Sequence, residues 1–283
     1  MSLSRRPAWL QKKISPAAHR DMDQLLEELR LHTVCREAHC PNISECYGNN
    51  QATFLILGTI CTRLCSFCNV TKKLPLPADP EEPRRVAEAI LRLQLRHVVI
   101  TSPTRDDLPD GGAGLYAETV REIRAVAPAT TVELLIPDFK GSRENLATVV
   151  SSRPDILGHN LETVPRLYAI REGADYRCSL LVLEMIAELD FSLRSKSGIM
   201  LGMGETEKEV VRVFADLLAT GCRYLSIGQY LAPSKRHYPV QEYLPPEVFD
   251  RYRKMALAMG FGHVESGPYV RSSYLAERYG KEA

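Results

Sequence analysis

Three cysteines within eight residues constrain this chain more than any other feature. Cys61, Cys65 and Cys68 have the spacing C-x3-C-x2-C and directly follow the apolar run 53–58. A cubane iron–sulfur cluster has four iron corners, which protein thiolates usually fill. Because only three thiols are supplied here, a cluster bound at this motif would keep one iron open to another ligand.

A second incomplete set of cysteines precedes the first. Cys35, Cys40 and Cys46 have the spacing C-x4-C-x5-C, again without a fourth thiol. His39 lies inside this run, and we interpret it as a neighbour of the set or a surface residue because the cysteines already form a set. Reducing compartments seldom keep structural disulfides, so two incomplete sets favour two metal centres.

Two plainer interpretations of these cysteines are open. Zinc takes four ligands, commonly as two C-x-x-C pairs, and the sequence has one such pair, at Cys65 and Cys68. A zinc site would need Cys61 and a distant residue to complete it. Disulfides are the second alternative, but eight cysteines in 283 residues with 45% hydrophobic content do not resemble a small secreted scaffold.

The charge balance gives no reason to expect a nucleic-acid or membrane partner. The formal net charge is +1, from 36 basic and 35 acidic residues, so no global field draws the chain to a polyanion. Arg5, Arg6, Lys12 and Lys13 precede no long apolar run, which is unlike a secretory signal or a membrane anchor. These basic residues are compatible with an organelle transit peptide, but the stretch is short and acidic residues begin at Asp21, so we interpret it as the solvated basic arm of a cytoplasmic protein.

Strands and helices are predicted to alternate from residue 53 onward. Buried strands are expected at 53–58, 97–101, 131–136, 155–158, 192–201 and 224–228. Helix starts are marked by Asp79 with Pro80, by Ser142 and by the capping box from Thr206 to Glu209. Further helices are expected at 16–31, 118–126, 164–170, 176–189 and 246–259, and the residues from 264 resemble an ordinary tail. This alternation predicts an α/β fold with a parallel sheet.

The loops that follow the predicted strands are the expected site of chemistry, because such loops build the active site in barrels of parallel strands. This rule places the cysteine motif, residues 105–110, Asn160, Glu162 and residues 202–205 on one face. The Gly202-Met-Gly-Glu205 segment lacks the third glycine of a dinucleotide fingerprint, so we interpret it as a tight turn into a helix.

Three further side chains are candidates for the interior of the fold. Lys196 is a candidate for the interior of the sheet, although an outward lysine is equally compatible with the pattern. Cys178 and Cys222 lie beside leucines, which predicts that both are small buried apolar residues.

Together these motifs resemble the lipoyl synthase family of radical S-adenosylmethionine (SAM) enzymes. C-x3-C-x2-C is typical of the radical SAM superfamily as a whole. The upstream C-x4-C-x5-C set and the terminal Arg271-Ser-Ser-Tyr274 make the resemblance specific. Thr59 and Thr104 depart from the family pattern without touching a ligand position. The similarity also covers residues 32–35, 40–43, 52–58, 105–112, 159–165 and 228–231.

The resemblance implies an incomplete (β/α)6 TIM-like barrel with extensions that cover the barrel mouth. The corresponding domains are an N-terminal extension over 1–50, a radical SAM barrel over 51–232 and a C-terminal extension over 233–283. Two [4Fe–4S] clusters are implied. Cys61, Cys65 and Cys68 would hold the SAM cluster. The auxiliary cluster would be held by Cys35, Cys40, Cys46 and Ser273. A serine oxygen is a harder ligand than a thiolate, so this position could be released when the cluster opens.

The implied activity is that of a sulfurtransferase, with two sulfur atoms inserted at carbons 6 and 8 of a protein-bound octanoyl-lysine. No general base of ordinary pKa could take a proton from these carbons, so hydrogen abstraction by a radical from SAM is implied. Two SAM molecules would be consumed, giving methionine and 5′-deoxyadenosine, and the auxiliary cluster would donate the sulfur. The expected SAM contacts are Phe67, Asn160, Glu162 and Lys196.

The resemblance also implies the partners. They are octanoylated lipoyl carrier domains, of E2 subunits or the glycine cleavage H protein, an electron donor, and an iron–sulfur carrier that rebuilds the consumed cluster. Lys235 and Arg236 lie in a basic loop that either meets the carrier or is simply solvated.

Two rival functions are an enzyme of the biotin synthase type and a non-catalytic metal module that binds a partner or nucleic acid. The terminal motif and the upstream cysteines argue against the first. The near-zero net charge and the strand–helix alternation argue against the second.

Overall fold

The computed structural model describes residues 7–12, 19–49 and 51–279, and it divides into two compact units. The amino-terminal unit comprises residues 14–64 and 69–157, and the carboxyl-terminal unit comprises residues 1–13, 65–68 and 158–283, each for its described part. Arg5, Arg6 and Lys13 of the expected basic arm lie outside the described residues.

The strands of the amino-terminal unit are mostly parallel. β1 (His32–Thr33), β2 (Thr53–Leu55), β5 (His97–Thr101) and β6 (Thr131–Leu135) lie in the order β1-β2-β5-β6. β2, β5 and β6 run parallel, and their register aligns Phe54, Ile100 and Leu134, which are all fully buried. β1 pairs antiparallel with β2. A separate parallel pair, β3 (Ile60–Cys61) and β4 (Thr71–Lys72), brackets the cysteine motif.

The helices of this unit bury one face each. They are α1 (Arg20–Glu28), α2 (Val34–Glu37), α3 (Ile43–Gly48), α4 (Glu82–Leu93), α5 (Ala113–Val126) and α6 (Arg143–Ser151), with a 3₁₀ turn at Phe139–Gly141. On α4, Val86 and Ile90 are buried at helical spacing. Ser142 caps α6 by accepting the backbone N–H of Asn145, as its position in the sequence predicts.

Two expected helix starts were wrong. Asp79 does not cap α4, because its carboxylate accepts the Glu81 N–H at 3.0 Å and forms a turn before the helix begins. α5 begins at Ala113, five residues earlier than expected. The Asp110 carboxylate accepts hydrogen bonds from the backbone N–H groups of Gly112 and Gly114, each at 2.8 Å, and so satisfies N–H groups at the start of the helix.

The carboxyl-terminal unit also has parallel strands. β8 (Arg194–Leu201), β9 (Tyr224–Gln229) and β10 (His263–Gly267) lie in the order β8-β9-β10. β10 corrects the expectation of an ordinary tail, since residues 263–267 pair with 224–228. Helices α7 (Tyr176–Leu189) and α9 (Pro246–Met259) have the expected bounds, and α8 (Glu207–Ala219) begins with the capping box of Thr206 and Glu209. The expected helix near 164–170 is a 3₁₀ helix at Pro165–Ile170.

Strand β7 (Ile156–Gly158) lies where the chain passes between the two units. Parallel strands alternating with helices make this an α/β fold. Among the described residues, no helix has both the length and the apolar character needed to cross a bilayer.

Candidate iron–sulfur and SAM site

The first part of the C-x3-C-x2-C motif is held by the loop that follows β5. Thr62 donates its backbone N–H at 3.0 Å and its hydroxyl at 2.9 Å to the Thr104 carbonyl. The Asp106 N–H in turn donates to the Thr62 hydroxyl at 3.1 Å. Next to it the Arg63 N–H donates to the Cys61 sulfur at 3.4 Å, a contact that stabilises a thiolate.

The last part of the motif is held within the carboxyl-terminal unit. The Ser66 N–H donates to the Ile170 carbonyl at 2.8 Å, and the Tyr238 N–H donates to the Ser66 carbonyl at 2.9 Å. The Cys68 N–H donates to the Cys65 carbonyl at 3.2 Å and closes a turn around half-buried Phe67. All three motif cysteines are half-buried and none forms a disulfide, so their thiols can serve as ligands.

Tyr230 belongs to the surroundings of this turn, which sequence reasoning missed. It is buried, and its hydroxyl donates to the Tyr238 carbonyl at 2.7 Å. Burial raises the pKa of this phenol, and the nearby charge of Cys68 raises it further. Its place in the Gly228-Gln-Tyr-Leu231 motif was the available indication.

The second cysteine set lies on two short helices of the amino-terminal unit. Cys35 is in α2, which Thr33 caps, and Cys46 is in α3. The Cys40 N–H donates to the Cys35 carbonyl at 3.0 Å. His39 adopts a left-handed conformation, with φ 49°, in the turn between them, and it is exposed as expected.

Two thiols of this second set, Cys35 and Cys40, are close enough to interact electrostatically. The pKa of Cys35 is raised to about 12 by burial and, next in size, by the charge of Cys40. A thiol whose ionisation is disfavoured in this way suits a metal centre, since iron supplies the missing positive charge. None of the three is in a disulfide.

The described residues contain no cluster of three Cys, His, Asp or Glu side chains that would hold a single metal ion. Each set supplies three thiolates, which are the donors that a cubane iron–sulfur cluster takes at three of its four iron corners.

Two of the expected SAM contacts lie together beyond β7. The Asn160 side-chain amide donates to the Glu162 carboxylate at 3.0 Å and to the Ser272 hydroxyl at 2.5 Å. Glu162 has a φ of 65°, and its N–H donates to the Gly198 carbonyl at 2.9 Å. A left-handed glutamate held along a strand is a strained arrangement of the kind that functional sites keep.

The electrostatics of Glu162 involve two arginines that sequence reasoning did not single out for the site. Part of the residue is exposed, but its carboxyl group is withdrawn from water, and this desolvation raises its pKa. Arg171 and Arg271 oppose the rise. Arg171 is buried and donates to the carbonyls of Asn160 and Leu161, each at 3.1 Å. No sequence motif marks Arg171.

Neighbouring atoms lie so close to the backbone at positions 198 and 228 that only glycine fits there. A Cβ on Gly198 would lie 2.5 Å from the Ser226 hydroxyl and 2.9 Å from the Asn160 side-chain oxygen. A Cβ on Gly228 would lie 2.1 Å from the Val270 carbonyl oxygen. The absence of a side chain at these positions lets Asn160 and the terminal segment lie directly against the strands.

Lys196 occupies the interior, as one of the two interpretations expected. Its side chain is buried on β8, with Nζ 3.7 Å from the centre of the Tyr279 ring. Lys12 makes a similar contact, with Nζ 4.6 Å from the Tyr269 ring and 5.3 Å from the Tyr274 ring. Lys12 is therefore docked on aromatic rings of the terminal segment, not extended into solvent as expected.

The terminal motif forms a turn in which the Tyr274 N–H donates to the Arg271 carbonyl at 3.0 Å. Ser272 and Ser273 are the two central residues of this turn, and both are half-buried. Ser272 contacts Asn160, as described above. The structure thus connects Asn160 to Ser272, a serine to which sequence analysis gave no role.

The Gly202–Glu205 segment is the tight turn that was expected. The Glu205 carboxylate accepts the N–H groups of Gly202 at 2.6 Å and Met203 at 2.9 Å. A phosphate loop would need these donors for its ligand. Because they are already satisfied, this segment serves the fold.

The two remaining cysteines differ. Cys222 is fully buried and its pKa is raised to about 12 by burial, as expected of a small apolar residue. Cys178 is half-buried on α7, so the expectation of burial was wrong for it. The exposed side of α7 also carries Leu181, which shows why leucine neighbours are a poor guide there.

Comparison with known proteins places these features in context. The sequence profile of the Radical SAM superfamily matches residues 55–217. A lipoyl synthase of Geobacter metallireducens is 72% identical over 279 residues, covering 99% of each chain. A lipoyl synthase of Geotalea uraniireducens is 70% identical over 280 residues, also covering 99% of each. In structure, methylornithine synthase is similar with a TM-score of 0.54 at 13% identity, over 90% of this chain and 79% of that one, which supports the α/β fold.

Proposed function

The chain belongs to the lipoyl synthase family of radical SAM enzymes, and we propose that it inserts sulfur at carbons 6 and 8 of an octanoyl chain carried on a protein lysine. The observation that carries this function is identity of 70% or more to lipoyl synthases over 99% of the chain. That span includes both cysteine sets and the terminal Arg271-Ser-Ser-Tyr274.

The finer assignment concerns which residues hold the two clusters. Cys61, Cys65 and Cys68 bind the SAM cluster, and Cys35, Cys40, Cys46 and Ser273 bind the auxiliary cluster. When bound, the first cluster and SAM supply the radical that removes hydrogen from an unactivated carbon. The auxiliary cluster is a substrate, because it is consumed as the sulfur donor. The interaction between Cys35 and Cys40 and the half-buried thiols of the first motif support these assignments.

The chain's own residues bind and orient SAM in this proposal. Asn160, Glu162, Lys196 and Phe67 are its contacts. The Asn160 amide holds the Glu162 carboxylate at 3.0 Å, and Arg171 fixes the backbone around Asn160. Polar groups whose positions are set by such neighbours need little reorganisation on binding, which favours one orientation of the substrate.

The proposed architecture is an incomplete (β/α)6 barrel over 51–232, with extensions at 1–50 and 233–283 that cover its mouth. The strand–helix alternation and the superfamily match over 55–217 support it. The octanoylated carrier approaches this mouth, and an electron donor and an iron–sulfur carrier serve the clusters. Exposed Lys235 and Arg236 contact the carrier. We place the protein in the cytoplasm.

The test is an anaerobic incubation with SAM, reductant and an octanoyl-lysyl peptide. Cys40→Ala is expected to cleave SAM yet make no dithiolated peptide, because the auxiliary set has lost a ligand. Cys178→Ala, which removes a half-buried cysteine outside both sets, is the matched control and should make product as the wild type does. Full sulfur insertion by Cys40→Ala would overturn the donor assignment.

A further inference from the structure

Arg63, between the first two cysteines of the motif, is buried although it carries a charge. Its side chain is 6% exposed. The guanidinium donates from Nε to one Asp106 oxygen at 2.8 Å and from Nη2 to the other at 3.1 Å. It also donates from Nη1 and Nη2 to the two oxygens of Asp138, at 2.5 and 2.6 Å. One arginine thus makes a two-pronged contact with each of two carboxylates.

Burying one guanidinium and two carboxylates together is unfavourable unless their hydrogen bonds compensate for the lost hydration. Removing charges from water has a large desolvation cost, which only hydrogen bonds of nearly ideal geometry offset. Here the fork of Arg63 matches both carboxylates, and Asp138 is only 2% exposed. The Lys140 N–H adds a donor to Asp138 at 2.9 Å. Asp106 follows β5 and Asp138 follows β6, so the contact fastens the cysteine loop to the ends of two strands.

The segments on either side of the motif are fastened by the same loop. Buried Arg105 donates to the Leu57 carbonyl before the motif and to the Leu76 carbonyl after it, each at 2.9 Å. Leu57 has a φ of 66°, a strained conformation for a leucine. Its N–H donates to buried Glu82 at 2.7 Å. A strained residue persists only where its surroundings fix it, so this loop is held in one conformation.

We propose that Arg63 is a positioning residue, whose hydrogen bonds to Asp106 and Asp138 fix the loop of Cys61 in its cluster-binding conformation before iron arrives. The backbone N–H of the same arginine donates to the Cys61 sulfur at 3.4 Å. Fixing the Arg63 side chain therefore also fixes a donor to the ligand atom. This inference rests on Cys61 being a cluster ligand, and it adds a residue outside the cysteine sets to the machinery.

The experiment uses a full-length parent in which Cys35, Cys40 and Cys46 are alanine, so that only the SAM cluster is counted. Arg63→Lys keeps the positive charge but cannot form two forked contacts. The control is Arg166→Lys, because exposed Arg166 makes the same forked contact with Glu209, at 2.7 and 3.0 Å, and neither residue belongs to the loop of Cys61. Three quantities are measured: iron and sulfide incorporated with time under anaerobic conditions, and the alkylation rates of Cys61 and of Cys222 in the iron-free protein.

Arg63→Lys is expected to slow iron incorporation by roughly tenfold or more, in line with the loss of residues that orient metal ligands. Cys61 should be alkylated roughly threefold faster or more, because its loop is released. Cys222, which is fully buried, should stay protected, which separates a released loop from global unfolding. Arg166→Lys should match the parent in all three.

If Arg63→Lys incorporates iron and is alkylated at Cys61 at the same rates as the parent, the proposal is overturned. If Arg63→Lys exposes Cys222, the variant has unfolded, and Asp106→Asn is tested in its place. Asp106→Asn leaves the buried Arg63–Asp138 pair intact, so it should speed the alkylation of Cys61 and leave Cys222 protected. A parent that binds no iron would count against the cysteine assignment. The alkylation rates of the iron-free protein would still test the positioning role.

Discussion

The effect of burial on the pKa of Glu82 can be tested without iron or SAM. Its side chain lies in the first turn of α4, 4% exposed, and accepts the Leu57 N–H at 2.7 Å. Burial raises its pKa from 4.5 to about 7, against the smaller opposing effects of the Leu57 N–H and Arg85. Glu82→Gln keeps an acceptor for Leu57 and removes the ionisation.

The sign and size of the effect follow from linkage. Because the folded protein binds this proton more tightly than the unfolded chain, the contribution of Glu82 to stability is full below pH 4.5 and falls as the pH rises through about 7. A shift from 4.5 to about 7 corresponds to about 3 kcal/mol. Between pH 5 and pH 8, the Gln variant should therefore gain about 2–3 kcal/mol relative to the wild type.

The assay is urea unfolding of the iron-free, reduced protein, followed by circular dichroism across that pH range. Other groups titrate in both proteins, so the difference between the two free energies of unfolding isolates Glu82. Glu88→Gln, on the exposed side of the same helix, is the control and should follow the wild type. If the free energies of unfolding of the wild type and of Glu82→Gln change with pH by the same amount, the raised pKa of Glu82 is refuted.

Two further predictions concern local structure. Gly228→Ala should lower the free energy of unfolding in urea by roughly 2–3 kcal/mol, because its Cβ would lie 2.1 Å from the Val270 carbonyl oxygen. An unchanged unfolding midpoint would show that the terminal segment can move aside without loss of stability. Thr206→Ala should cost about 1 kcal/mol by removing the capping box with Glu209, whereas Thr206→Ser should not, and equal losses in both variants would contradict the role of the hydroxyl.

Local signals in the sequence predicted the start of a helix correctly where one capping side chain binds a backbone N–H within the next turn. The capping hydroxyls of Ser142 and Thr206 lie three residues from the N–H groups they accept, and both helices were predicted correctly. Asp79 carries the same kind of signal, yet its carboxylate is taken by the Glu81 N–H and by Arg85. Propensity alone cannot choose between two such partners.

Pairings between distant residues could not be predicted. β10 is five residues long and is stabilised by β9, about forty residues earlier, so nothing near it marks a strand. The same limit applies to the site. Cysteine spacing identified the two candidate ligand sets, but the contact of Asn160 with Ser272 spans 112 residues and that of Arg63 with Asp138 spans 75. These partners meet only once the strands are assembled.

The central claim, that the inserted sulfur comes from an iron–sulfur cluster bound to this chain, is tested most directly by isotope transfer. The clusters are assembled anaerobically with isotopically heavy sulfide, free sulfide is removed, and a single turnover is run on the octanoyl-lysyl peptide in the presence of ordinary sulfide. Mass spectrometry should find both sulfur atoms of the product heavy. A product carrying only ordinary sulfur would contradict the claim, since the sulfur would then have come from solution.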